Sequence, residues 1–308
     1  MKMRPQPGPI KFFRGADNDM ILVTGASGNV GGAVLNELLR SGATARGMYR
    51  SAEDASKAPA GANPVIADFS DRASLDRALE GVDRVFLVCS PIPQLVEFES
   101  NMIDACRARG VCHLVQNSAL GADTYDKSFP KWHHAVEEKL QASRIPATIL
   151  RPESFMQNIT TYFAGTIQSQ GAFYAAVGDA GFGFVDVRDI GAVAAKVLTS
   201  DGHAGKTYTL TGPELLTYTQ VAARISTLLG RPVQYVAITQ EQLRQSMRDM
   251  GMPPWQVEAL ADLQAYYTDG PGGVVTGDVQ SVLGRAPIAI DQFLHNYATA
   301  LAPAAAKS

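Results

Sequence analysis

Three glycines, Gly25, Gly28 and Gly31, fall at three-residue spacing in the segment TGASGNVGG. A short apolar run, Met20–Val23, precedes them, and a helical pattern with Val34, Leu35, Leu38 and Leu39 follows. Gly42 stands just past that helix, where a left-handed cap residue is expected. Residues 44–49 then read as a second strand. A strand, a glycine turn and a helix make an anion site. Gly25 permits the turn, Gly28 lets a pyrophosphate approach the backbone, and Gly31 lets helix and strand pack closely. Open N–H groups and the dipole at the helix start attract phosphate. Thr24, Ser27, Asn29 and Val30 share the loop and join the candidate cofactor contacts. The bland alternative is a glycine-rich turn with no ligand.

The end of the second strand selects the dinucleotide. An acidic residue there would bond the 2′-hydroxyl of NAD. This chain has Arg50-Ser51 instead, with Arg46 upstream. A guanidinium there suits the 2′-phosphate of NADP. NADPH is the expected cofactor, and the nearby Glu53 and Asp54 keep NADH open. Cys89, Ser90 and Pro91 end the fourth strand, where doubly wound sheets place ligands. His133 and Glu137 are four apart on a helical pattern, so their side chains can meet. That spacing suits a proton-handling pair, or equally a buried polar pair that only fixes the helix.

The elements that must hold these residues alternate. Strands are expected at 64–69, 84–88, 112–116 and 147–150, separated by helices at 71–79, Leu95–Arg109 and 131–142. This β-α-β spacing predicts a parallel, doubly wound sheet. Beyond Pro152 the pattern is less regular. Helices are expected at 154–168, at 190–198 capped by Asp189, at 218–229 capped by Thr217, and at 240–250 and 254–267. Strands are expected at 172–176, 184–187, 207–211 and 232–238. The domain reading is an extension over 1–19, expected to be loosely ordered, and a dinucleotide-binding domain over 20–152. Residues 153–308 are mainly a smaller α+β substrate region, with 184–200 returning to the first domain.

The bulk composition narrows the function. The chain has 308 residues, 46% of them hydrophobic, so it can bury a large core. A net charge of −3 gives no basic field for nucleic acid. No apolar run approaches the ~20 residues of a membrane span. Cys89, Cys106 and Cys112 read as reduced thiols, no histidine spacing suggests a metal, and a cytoplasmic location is expected.

Ordered pieces of the chain resemble the NmrA-like, atypical branch of the short-chain dehydrogenase/reductases. They are TGASGNVGG, MYRS, VIADF, FLVCSP, LVQNSALGAD, WHHAVEEKL, ILRPESFMQN, FVDVRDIGAVAAKVL and GKTYTLTGPELLTY. The resemblance runs from about Met20 to Leu301. It implies a Rossmann sheet and an NADPH-dependent reductase that passes hydride to a quinone or azo dye. It also implies that Asp68 and Phe69 meet the adenine, and that Asn117, Ser118, Pro152 and Phe155 join the cofactor site. Ser118 falls at the serine of the superfamily's proton relay, but its Tyr-x-x-x-Lys pair is replaced by His133 and Glu137. This replacement argues against ordinary alcohol dehydrogenation and fits a quinone, which needs less help from an acid. Candidate catalytic residues are therefore His133, Ser118, Glu137 and the loop residue Tyr125. Candidate walls for a flat aromatic substrate are Phe155, Met156, Phe182 and Phe184, from a longer list that includes Tyr162, Tyr266 and Tyr267. Helices over 240–267 are expected to form an outer wall, and Met247, Met250 and Met252 could mark a homodimer contact. The rival readings are a non-catalytic NADP(H) sensor and a sugar or steroid epimerase.

Overall fold

A computed structural model describes residues 19–270 and 272–303. The proposed extension therefore lies outside the described residues except for Asp19, which pairs with the buried Arg84 at 3.0 Å. The first half alternates strictly. Its elements are β1 (Met20–Val23), α1 (Asn29–Arg40), β2 (Ala45–Tyr49), α2 (Ala52–Ser56), β3 (Val65–Ile66) and α3 (Arg72–Ala78). Then come β4 (Val82–Leu87), α4 (Leu95–Arg109), β5 (His113–Asn117), α5 (Ser128–Ser143) and β6 (Ala147–Pro152). A π-turn at Ile159–Phe163 leads into α6 (Ala164–Gln170), β7 (Ala172–Ala175), β8 (Gly181–Phe182) and α7 (Val187–Thr199). The remainder is β9 (Thr207–Leu210), β10 (Leu216–Thr217), α8 (Tyr218–Leu229), β11 (Gln234–Ala237), α9 (Gln240–Asp249) and α10 (Pro254–Asp269). Three short helices follow: α11 (Asp278–Leu283), α12 (Ile290–Asn296) and α13 (Ala298–Leu301).

Seven strands form one parallel sheet in the order β3-β2-β1-β4-β5-β6-β9. Alternate side chains feed two layers. Ile21, Val23, Phe86 and Val115 pack under α1 and α7 with Val34, Leu38, Ile190 and Val193. Leu22, Val85, Leu87 and Leu114 face α3, α4 and α5, against Leu75, Met102, Ile103, Val136 and Leu140. Covering both faces is what lets these strands be apolar throughout. A third cluster, built on Met156, Phe173, Phe182, Phe184 and Tyr218, belongs to the second half of the chain.

The sheet order reverses between β1 and β4. Strands run outward from β1 through β2 to β3, and from β4 through β5 to β6 on the other side. Connections leaving these two neighbours diverge, so a crevice opens beyond their carboxyl ends.

Several local expectations give way to tertiary pairing. The strand expected at 64–69 shortens to β3. The helix expected from 154 does not start there, because residues 154–156 pair with Val185. Val185 N–H donates to Ser154 O at 3.0 Å and Met156 N–H donates to Val185 O at 2.9 Å. The strand expected at 184–187 reduces to that single bridge, Phe155 beside Val185. Asp186, not Asp189, caps α7, accepting from Arg188 N–H at 2.9 Å. Asp189 lies buried in the first turn, where it accepts from Ile288 N–H at 2.6 Å and pairs with Arg285 at 2.7 Å. The polypeptide's return to the sheet extends past residue 200, since β9 pairs with β6. Met247 and Met252 pack in a small cluster with Leu243 and Val257, leaving Met250 as the exposed methionine of the three.

Helices α1 and α7 cross in close backbone contact at Gly191. A Cβ there would stand 2.9 Å from the carbonyl carbon and oxygen of Ala33. Gly191→Ala is therefore expected to cost about 1–3 kcal/mol, as overpacking does. Urea unfolding measures it, and a midpoint equal to wild type would contradict this account of the helix crossing.

Candidate active site

The crevice at the switch point is a cleft of about 470 Å³. Its floor is the β1–α1 turn. Gly25 holds φ +57°, a conformation that a side chain would strain. Gly31 lies so near the turn that a Cβ would stand 2.2 Å from Gly25 O. Gly28 is the N-cap of α1 and no side chain caps the helix. The amides at its start consequently face the cleft, which Gly25, Ser27, Gly28, Asn29, Val30 and Gly31 all line. Thr24 is set behind them. Its hydroxyl donates to Val88 O and accepts from Val88 N–H, both at 2.8 Å, tying β1 to the end of β4.

The neighbouring strand ends form the next wall, with Cys89, Ser90 and Pro91 after β4 and Asn117 and Ser118 at and after β5. Pro152 and Phe155 close it beyond β6. Burial pushes the Cys89 thiol up to about 12, so it is no nucleophile. The residues expected at the adenine end lie outside this cleft. Arg50 is exposed, and its charge helps lower the pKa of Asp68 after the larger effect of Ser70, which bonds that carboxylate through its hydroxyl and amide. Ser51 caps α2 through Asp54 N–H at 3.0 Å. Phe69 stacks on Phe98, with ring centroids 6.0 Å apart.

The expected proton-handling pair does not form as a pair. Glu137 is held by Arg151, whose Nη2 and Nε reach its two oxygens at 2.6 and 3.0 Å. Ser118 Oγ also donates to Glu137, at 2.5 Å. Asp123 holds the other side of Arg151 at 2.5 Å. His133 lines the cleft with Nδ1 buried and unpartnered. Burial lowers its pKa to about 4, and the negative charge of Glu137 offsets only part of this. The imidazole is therefore neutral at pH 7. Tyr125 turns away from the cleft. Its hydroxyl donates to Asp262 O at 3.4 Å and its ring meets Tyr266 edge-on.

Of the expected aromatic walls, Phe155, Tyr162, Tyr266 and Tyr267 line the cleft. Met156, Phe182 and Phe184 do not; they are buried in the third core cluster. The bridge to Val185 gives the reason. It fixes 154–156 as extended chain, so neighbouring side chains point to opposite sides. Phe155 then faces the cleft and Met156 the core.

The chain matches the NmrA-like family over residues 17–301. It belongs to that family. An NAD(P)H azoreductase of Xenophilus azovorans is 34% identical over 92% of this chain and 100% of its own length. A (4-alkanoyl-5-oxo-2,5-dihydrofuran-3-yl)methyl phosphate reductase of Streptomyces griseus is also 34% identical, over 92% of this chain and 100% of its own. The solved NADPH complex of an NADPH-dependent quinone oxidoreductase from Escherichia coli superimposes with a TM-score of 0.83. It covers 90% of this chain and 99% of that one, at 28% identity.

This NmrA-like chain fits a dinucleotide on its own geometry. The uncapped helix start suits a pyrophosphate. Asn117 Oδ1, buried on the cleft without a partner, suits an amide donor such as the nicotinamide carboxamide. No cluster of metal-binding side chains occurs among the described residues.

Sequence reasoning missed several lining residues. Gln256, Leu260 and Leu263 are among them; with the expected Tyr267 they recur along one face of α10 and close the outer side of the cleft. Their spacing of four, three and four was the available signal. Phe129, Pro130 and Ser154 carried none. Glu153 did: a charged residue directly after an apolar strand, at the sheet's carboxyl edge.

Glu137 and Arg151 act here as a buried ionic clamp between α5 and β6. Glu137→Gln should cost about 3 kcal/mol, the scale for removing one partner of a buried pair. Chemical unfolding reads the loss. The remaining folded protein should bind NADPH as wild type does, and unchanged stability would show that the clamp carries nothing.

Proposed function

We propose that this protein is an NADPH-dependent reductase of conjugated aromatic acceptors, quinones or azo compounds. The observation that carries the reading is the placement of the cleft. A glycine-walled anion site and an aromatic, apolar wall face each other across one switch point. A bound NADPH supplies hydride. The similarity to an azoreductase and to a quinone oxidoreductase supports both the cofactor and the acceptor class.

The chain's own residues then orient and dry the site. Helix α1 offers its amides to the phosphates. Phe155, Tyr162 and Tyr266 give a flat acceptor apolar surfaces to stack on. Tyr162 is 60% exposed at the mouth, an aromatic ring with no core to fill. His133, neutral and unpartnered at Nδ1, offers a hydrogen bond without a charge. Ser118 has committed its proton to Glu137, so its oxygen presents lone pairs to the cleft. Arg50, at the exposed end of β2, is assigned to the 2′-phosphate. No helix of the described residues is long and apolar enough to cross a membrane. We place the protein in the cytoplasm, where NADPH is available and its three free cysteines stay reduced.

Purified protein should oxidise NADPH in the presence of a quinone or an azo dye. NADPH binding with no turnover across such a panel would favour the sensor reading instead. Arg50→Asp should weaken NADPH by about 10–100-fold while changing NADH little, since one charge-assisted contact is at stake. Equal loss for the two nucleotides would remove Arg50 from the phosphate site.

A further inference from the structure

Reduction of a neutral quinone or azo bond takes a hydride and also a proton. None of the four side chains expected to handle that proton offers an acidic one to the cleft. His133 is neutral at pH 7, and neutral imidazole is a very weak acid. Ser118 donates to Glu137. Glu137 is an ion pair with Arg151. Tyr125 is bonded elsewhere.

Glu153 is differently placed. It follows β6 directly, lines the cleft, and is 2% exposed. Its backbone is pinned to β9, with Glu153 N–H donating to Leu210 O at 2.9 Å. One carboxyl oxygen, Oε2, accepts from the amide of Ser154. The other, Oε1, is buried and has no partner. Among the described residues no cation pairs with it. The amide of Gly183 and the hydroxyl of Tyr267 from α10 act on the carboxyl as hydrogen-bonding neighbours, and Tyr266 from α10 and Tyr218 from α8 lie near enough to feel its charge. The negative charge of Asp123 acts in turn on Tyr266. Among such neighbours burial dominates, and it pushes the Glu153 carboxyl up to about 8. The tyrosines are themselves raised by burial and stay protonated. A carboxylic acid kept neutral at pH 7, beside a ligand cleft and with an unused oxygen, is built to lose a proton during turnover.

We propose that Glu153 is the proton donor of the reductase, giving the carboxyl proton to the oxygen or nitrogen of the reduced acceptor. The proposal rests on the reading of the protein as a reductase. As hydride arrives, the acceptor gains two electrons and its oxygen or nitrogen becomes basic. An O–H or N–H bond forms there while the carboxyl O–H of Glu153 breaks, leaving a carboxylate. Water restores the proton once the product has left. The nicotinamide is oxidised and the acceptor reduced, with one proton consumed per turnover.

This assignment separates acceptors by their need for a proton. A cationic triarylmethane dye becomes neutral on taking hydride alone. Glu153→Gln keeps shape and neutrality but has no acidic proton. It should lower kcat for a quinone by about 100-fold, the low end for loss of a general acid. The loss for the triarylmethane cation should be at least about ten times smaller than that. Wild-type kcat with the quinone should fall as pH rises through about 8. In the ligand-free protein, ¹³C NMR of labelled glutamate should show Glu153 protonated at pH 7, with its signal absent in Glu153→Gln. Glu99, also raised to about 8, gives a second such signal, identified with Glu99→Gln. An active wild type whose Glu153→Gln variant loses both acceptors equally overturns the assignment alone. A wild type inert toward every acceptor overturns the reductase reading with it. If Glu153→Gln does not fold, NMR of the Glu99→Gln variant still decides, because the absence of any protonated glutamate in it at pH 7 contradicts the assignment.

Discussion

The structure depends on one close approach. Helix α1 must start within backbone contact of the turn that ends β1. Gly31 packs where any side chain would collide with Gly25 O, and Gly25 takes a backbone conformation that favours glycine. These two positions bring the uncapped amides of α1 to the mouth of the switch point between β1 and β4. A bulkier residue at either would push the helix outward and close the anion site. The same economy of space recurs where α7 crosses α1 at Gly191, so one face of the sheet is covered by helices that touch backbone to backbone.

Burial then sets the chemistry. The cleft and the interior behind it shift acids and bases in opposite directions, but always toward neutrality. His133 goes down to about 4, while Glu153 and Glu99 go up to about 8. Glu137 is held instead by the guanidinium of Arg151 and the hydroxyl of Ser118. The site thus holds neutral polar groups within an apolar wall. That suits a neutral, delocalised acceptor and suits a sugar or an alcohol less well.

The first half of the fold was legible in the sequence because its signals are local. Apolar runs ended by glycine or by polar residues marked each strand, and the glycine spacing marked the cradle. The second half was less legible because its backbone is decided by distant partners. Residues 154–156 look helical in isolation, yet they pair with Val185 across the chain. That one bridge moved Met156 into the core and left Phe155 on the cleft. Asp186 and Asp189 are both plausible caps three residues apart, and Asp186 took the cap because Ile288 and Arg285, from the far end of the chain, engage Asp189. In the site, spacing correctly put His133 and Glu137 on one helix. It could not reveal that Arg151, from another element, would take Glu137 away. Glu153 went unread because burial, which gives it its meaning, is invisible in a single sequence.

Everything in the site follows if the β1–α1 turn holds a dinucleotide. A crystal structure of the protein grown with NADPH tests it most directly. The account predicts the pyrophosphate against the amides of residues 29–31, within the cleft bounded by Asn117, His133 and Glu153. A nucleotide bound elsewhere, or a cleft that stays empty at saturating NADPH, would contradict it.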